Sequence, residues 1–289
     1  MATTINKFDK ERGVEGISSM FKHLKDEGRA ALIPFITAGD PDLDTSRDLV
    51  LALAEAGADL IELGVPFSDP LADGPTIQAS SHRALDGGVT PELVLKLVAD
   101  VRKAGCNVPI ILMGYYNTVL QYGLVDYAEA MVDAGADGTI IADLPLEESG
   151  EWRRIAALHG LANIFLVAPT TPISRARFIS EASTGFLYYV SVTGITGART
   201  ELPSNLIDAL KGIKAVSPVP LAVGFGISTP EQVEMLSGVA DGIIIGSAIV
   251  RVMESNMIKT DDGFVAGPEL VSGVKGFVET LASAIRPAS

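Results

Sequence analysis

The chain has 289 residues, 47% of them hydrophobic and 20% charged, with a formal net charge of −14. That composition supplies one large core and argues against disorder, while the negative charge disfavours nucleic acid as a partner. The lone cysteine, Cys106, rules out an internal disulfide and suits a reducing cytosol.

The opening residues lack an apolar signal core and carry early acids, and no run of about 18 apolar residues could span a membrane, so a cytoplasmic location is expected. A helix over Val14–Glu27 is expected first. After it, short apolar runs alternate with longer amphipathic ones. Leu32–Ala38 reads as a strand, followed by a helix over Thr45–Ala56 with Leu49, Leu53 and Ala56 on one face. Leu60–Val65 is the second strand, then a long Pro- and Asp-bearing loop, a helix beginning near Thr76, and a helix over Pro91–Ala104 with Pro91 in its first turn. Strands Pro109–Tyr115, Thr139–Leu144, Ile164–Ala168, Phe186–Ser191, Leu221–Phe225 and Gly242–Gly246 follow. They alternate with helices over Leu124–Ala134, Glu147–His159, Ser174–Ser183, Asn205–Val216, Pro230–Leu236 and Ile249–Met253. A Gly- and Asp-bearing linker near Thr260–Gly267 leads to a closing helix over Pro268–Ile285.

The apolar runs are near-continuous rather than alternating, as in parallel strands buried on both faces. Three segments repeat one pattern: Ala54–Gly64, Met131–Pro145 and Leu236–Ala248 each end a helix, turn, place Ala-Asp, and enter an aliphatic strand. Eight such units predict an α/β fold, a single (β/α)8 TIM barrel over residues 1–289 with an extra N-terminal helix and a C-terminal closing helix. A doubly wound open sheet is the alternative, but no early strand leads through G-x-G-x-x-G into a helix.

In such a barrel the chemistry sits at the C-terminal ends of the strands. Glu62 lies inside an aliphatic strand, where an acid is costly to bury without a partner or a task. The bland reading is a wall residue paired with a base. The next loop adds Asp69 and Asp73, spaced by Pro70 and Gly74; such residues are common in surface turns, yet here two carboxylates could converge on one substrate. The glycine-rich loops at Gly224–Ser228 and Gly246–Ala248 each open a helix after the last two strands. Bare amides there bind phosphate, although βα turns use glycine in any case. Ser191–Thr200 reads as a lid or an ordinary connection. His23, His82 and His159 share no metal-ligand spacing, and Cys106 falls at the wrong end of the barrel for a nucleophile.

The runs Pro34–Pro41 (PFITAGDP), Ile61–Gln78 (IELGVPFSDPLADGPTIQ), Asp143–Ser149 (DLPLEES), Gly194–Gly197 (GITG), Val223–Ser228 (VGFGIS) and Asp241–Val250 (DGIIIGSAIV) resemble, in order, the tryptophan synthase alpha subunit family. The resemblance extends over about nine-tenths of the chain, judged by the expected barrel span. It implies retro-aldol cleavage of indole-3-glycerol phosphate to indole and glyceraldehyde 3-phosphate. Glu62 matches the family's acid–base residue and Asp73 the aspartate at the indole N–H. Phe35, Met113, Tyr115, Ile140, Ala142 and Tyr188 match positions around the substrate, and Thr196 a loop residue closing toward Asp73. Gly197, Gly226, Gly246 and Ser247 match the phosphate-binding amides. Val192 departs from members with Arg at that position.

No cofactor or metal is expected in this chain. The resemblance implies a pyridoxal-phosphate beta subunit as partner in an α2β2 assembly, receiving indole, with Asp69, Pro70 and Asn117 at the interface. Three alternatives remain. One is another phosphate-binding barrel enzyme, such as an isomerase of the same pathway or the indole-glycerol-phosphate-forming synthase, which would need a strand-end lysine that is not found beside Glu62. A catalytically dead regulatory barrel would not need Glu62 and Asp73. A standalone indole-3-glycerol-phosphate lyase would need the same site.

Overall fold

The computed structural model describes residues 11–191, 205–224, 226–261 and 263–285. In chain order its first half contains α1 (Gly13–Asp26), β1 (Ala31–Thr37), α2 (Leu43–Glu55), β2 (Ile61–Gly64), α3 (Pro75–Asp86), α4 (Pro91–Lys103), β3 (Ile110–Gly114), α5 (Tyr116–Tyr122), α6 (Leu124–Ala134), β4 (Gly138–Ile141) and α7 (Gly150–Leu158). The second half contains β5 (Ala162–Ile164), β6 (Leu166–Val167), α8 (Ile173–Ala182), β7 (Leu187–Val190), α9 (Leu206–Lys214), β8 (Leu221–Gly224), α10 (Pro230–Ser237), β9 (Gly242–Ile245), α11 (Ser247–Ser255), β10 (Met257–Thr260), β11 (Gly263–Ala266) and α12 (Leu270–Ala284).

The main sheet runs β5-β4-β3-β2-β1-β9-β8-β7-β6, parallel throughout. Its ends, β5 and β6, are two stretches of one strand separated by Phe165. The first stretch pairs with β4 and the second with β7, and the Phe165 carbonyl accepts from Tyr188 N at 3.0 Å. The fifth strand therefore closes the sheet into the expected eight-stranded barrel. Helices cover the outside, so almost every strand residue is buried, which explains the unbroken apolar runs.

The repeated Ala-Asp acquires a physical reason at the lower end of the barrel. Asp59, before β2, accepts from Leu32 N on β1 at 2.9 Å and pairs with Arg29 at 2.8 Å. Asp137, before β4, accepts from Ile110 N on β3 at 2.8 Å and pairs with Arg102 at 2.8 Å. Asp241, before β9, accepts from Leu221 N on β8 at 2.8 Å and pairs with Lys214 at 2.7 Å. Each carboxylate thus ties its own strand to the neighbour preceding it, satisfying an amide at the strand entrance. Asp137 also accepts from Gly13 N at 2.8 Å, which fastens α1 under the barrel.

Two expectations need correction. The stretch near Thr260–Gly267 is an antiparallel hairpin, β10 paired with β11, rather than a linker. Its signal was present: the sequence Asp-Asp-Gly between the runs Met-Ile-Lys-Thr and Phe-Val-Ala. Asn117, expected in a loop after the third strand, occupies instead the first turn of α5, into which that strand leads directly. Gly123, at φ +97°, separates α5 from α6.

Candidate active site

Glu62 stands in the middle of β2, in register with Phe35 on β1 and Ile111 on β3. It is 1% exposed, and its Oε2 has no hydrogen-bond partner. Burial first, and the charge of Asp73 second, push its carboxyl up to about 8. Among the described residues no base pairs with it, so the wall-residue reading loses its support.

Asp73 is held over the barrel mouth by its own loop. Its N–H donates to the Pro70 carbonyl at 3.0 Å, and Gln78 Nε2 donates to its carbonyl at 2.9 Å. The Tyr115 hydroxyl donates to Asp73 Oδ2 at 2.9 Å and accepts from Ala72 N at 3.1 Å. Tyr115 also stacks on Phe67, with ring centroids 5.0 Å apart. Burial raises the Asp73 carboxyl to about 6, against the lowering effect of the Tyr115 bond. Two acids that differ in this way are suited to different protonation states near neutrality.

Tyr188 on β7 is buried, and its phenol is pushed well above the ordinary value, by burial and then by the charges of Glu62 and Asp73. Its hydroxyl occupies space that a side chain at Gly224 would need: a Cβ there would come within 2.3 Å of Oη. Gly64 plays the same part for Phe35, whose Cζ would lie 2.7 Å from an added Cβ. Sequence reading puts Gly224 in a phosphate loop and Gly64 nowhere in the site, and reads neither as making room for a site ring. Met113 pairs with Gly64 and Ile140, two residues along the strands from the Glu62 level, so these side chains share its face. Thr37 was missed as well; it is buried at the end of β1, paired with Gly64, and its Oγ1 has no partner.

The two glycine-rich loops differ more than their sequences suggest. At α10, Thr229 and Gln232 form a capping box, and Gln232 Oε1 accepts from Ser228 N at 2.8 Å and Thr229 N at 3.3 Å. Those amides are already engaged. At α11 no side chain caps the N-terminus formed by Gly246 and Ser247, so its amides are available to an anion. A Cβ at Gly246 would touch Phe35 at 3.4 Å, so this helix start adjoins the apolar side of the site. Gly226 is exposed, with φ +80°. Arg83 joins the two halves: from α3, just after the Asp73 loop, it donates to Asp40 at 2.8 Å and to Glu254 on α11 at 2.9 Å.

Of the expected interface residues, Asp69 and Asn117 are exposed, whereas Pro70 is buried. Pro70 supports the turn that carries Asp73, and the residue that projects is Leu71, 81% exposed. Thr196, Gly197 and Val192 lie outside the described residues.

Comparison with known proteins agrees with this geometry. The family model described as "Tryptophan synthase alpha chain" matches residues 21–276. The tryptophan synthase alpha chain of Geobacter sulfurreducens is 48% identical over 269 residues, covering 93% of this chain and 98% of that protein. The one from Geobacillus kaustophilus is 50% identical over 258 residues, covering 89% and 95%. Among solved structures, a Mycobacterium tuberculosis tryptophan synthase superposes with a TM-score of 0.83 at 35% identity, covering 96% of this chain and 99% of that one. The alpha subunit from Legionella pneumophila gives 0.79 at 37% identity, covering 93% and 97%. With a closed barrel, two coupled acids at its mouth and this likeness along nearly the whole chain, the protein belongs to the tryptophan synthase alpha chain family of enzymes.

Proposed function

We propose that this enzyme is a carbon–carbon lyase that cleaves indole-3-glycerol phosphate into indole and glyceraldehyde 3-phosphate, with Glu62 and Asp73 as its catalytic residues. The observation that carries this reading is the pairing of a buried, unpartnered Glu62 with Asp73. With its carboxyl raised to about 8, Glu62 is protonated at neutral pH and can donate to indole C3. The ring nitrogen then carries positive charge, which the ionised Asp73 stabilises. As the bond from C3 to the glycerol carbon breaks, the Glu62 carboxylate takes the proton of the neighbouring hydroxyl, leaving an aldehyde and restoring the acid. The ring itself is the electron sink, and each carboxylate role is worth roughly 10²–10⁴-fold in rate.

Phe35, Met113, Ile140, Ala142, Tyr115 and Tyr188 enclose the indole in this reading, and Thr196 is added by the family resemblance alone. Gly246 and Ser247 offer the phosphate the uncapped start of α11, and Gly226 and Gly197 are the further phosphate-binding amides that the family resemblance implies. A phosphate anchored there fixes the orientation of the reacting bond.

The partner is a beta subunit that carries pyridoxal phosphate, in an α2β2 assembly in the cytoplasm; this chain holds no cofactor of its own. Asp69, Asn117 and the projecting Leu71 form the contact, and Pro70 acts from beneath. Because that loop also carries Asp73, docking stabilises the catalytic arrangement and raises its population. The test is the rate of indole release from indole-3-glycerol phosphate, titrated with beta subunit. Acceleration that saturates with complex formation is expected. Cleavage with a flat titration would identify a standalone lyase, and no cleavage in either case would overturn the assignment.

A further inference from the structure

Away from the barrel mouth, a cavity of about 760 Å³ lies between α7, the end of α8 and the start of α1. It follows one face of α7, where Gly150, Arg153, Arg154 and Ala157 recur at helical spacing, down to Asn163 at the entrance of β5 and Thr184. None of the residues assigned above to cleavage lines it.

The lining is unusual for this molecule. Three guanidinium groups, those of Arg12, Arg153 and Arg154, share the cavity with one carboxylate, Glu15, in a chain of net charge −14. Arg12 is partly engaged, donating to Asn107 O at 2.9 Å and Oδ1 at 3.1 Å. Arg153 and Arg154 make no ion pair or side-chain hydrogen bond among the described residues. A fourth donor is buried in the same wall: Asn163 is 5% exposed, and its Nδ2 has no acceptor among the described residues. Buried amide nitrogens are rarely left in that state unless a ligand or water completes them. Val14 and Leu161 give the remaining wall an apolar character. The volume falls within the usual range of small-molecule sites, about 300–1,000 Å³.

We propose that this cavity is a second small-molecule site, for an anion bearing a phosphate or carboxylate group on a partly apolar body. The head group is held by Arg153 and Arg154, whose planar forks match such oxygens, and the body lies against the apolar wall. A cationic ligand would add to the unbalanced positive charge.

The test uses the full-length chain, labelled for amide NMR and titrated separately with inorganic phosphate and with phenyl phosphate. Because the start of α11 is itself a proposed phosphate site, two groups of resonances are followed: Gly150, Gly160 and Thr184 for the cavity, Gly246 and Ser247 for the barrel mouth. Both groups are expected to shift, with independent Kd values, and phenyl phosphate should bind the cavity more tightly than inorganic phosphate. R153Q/R154Q should raise the cavity Kd at least tenfold while leaving the barrel-mouth Kd and the rate of indole release unchanged. Arg153 is half-buried and Arg154 exposed, so the fold should survive; the single R154Q variant serves if it does not. Cavity resonances that stay still at millimolar ligand, or that move equally in the variants, would overturn the proposal.

Discussion

Replacing Glu62 with glutamine keeps the shape of the side chain and removes its titration. In the folded chain this carboxyl is raised from 4.5 to about 8, chiefly by burial. At about 1.4 kcal/mol per unit, that corresponds to roughly 5 kcal/mol by which the ionised form is disfavoured. Between pH 4.5 and about 8 the native state binds more protons than the unfolded chain, so the Glu62 contribution to stability falls as pH rises through that window. The neutral amide of Glu62→Gln has no such slope. The variant should match the parent near pH 4.5, exceed it by roughly 3 kcal/mol at pH 7, and level off near 5 kcal/mol above pH 8. Urea unfolding at pH 5, 7 and 9 measures this directly, because the sole tryptophan, Trp152, is fully buried and reports the transition by fluorescence. The same protein should lose cleavage by at least about 10²-fold. Parallel stability curves for parent and variant would refute the electrostatic reasoning, and wild-type kcat would refute the catalytic role.

Four further outcomes follow from the geometry. If cleavage needs Glu62 protonated and Asp73 ionised, kcat/KM should be bell-shaped between about 6 and 8. Asp73→Asn removes a charge that raises Glu62, so what activity remains should lose its alkaline limb at lower pH than wild type; an unmoved limb would uncouple the pair. Gly246→Val places methyls beyond a Cβ already 3.4 Å from Phe35 and obstructs the start of α11, so KM for the phosphorylated substrate should rise at least tenfold with little change in Tm. An unchanged KM would remove Gly246 from the phosphate site. Asp137→Ala leaves Arg102 without its carboxylate and frees Gly13 N and Ile110 N, so about 3–5 kcal/mol of stability should be lost with KM unaltered. A loss below about 1 kcal/mol in urea titration would contradict the tying role of the repeated aspartates.

Local chemistry made most of the architecture legible. Strands buried on both faces must be apolar throughout, and the helices between them must carry one apolar stripe, so periodicity alone separated the barrel's elements in order. Glu62 stood out for the same reason, as an acid within such a run. The Ala-Asp repeat was visible as a pattern, but its cause was not, since each aspartate serves an amide on a neighbouring strand twenty or more residues away. Cross-strand relations of this kind depend on register, which a single strand's residues do not specify. The closure of the sheet through Phe165, the void at Gly224 that admits Tyr188, and the Tyr115 bond that holds Asp73 are all of that type.

The phosphate loops illustrate the limit most clearly. Both read as glycine followed by a helix start, and the local capping box of Thr229 and Gln232 occupies the amides of α10 while those of α11 stay uncapped; that the start of α11 adjoins Phe35 is set only by the tertiary fold. Pro70 likewise reads as a protruding turn residue, but the packed loop turns it inward and sends Leu71 outward. The sequence by itself determined the eight barrel strands and most of the helices between them, because those depend on neighbours a few residues apart; the β10–β11 hairpin and α5 emerged only in the structure. Which polar groups remain without partners, and hence where a ligand can bind, was decided only by the folded chain, because hydrogen bonds and burial are satisfied in space rather than along the backbone.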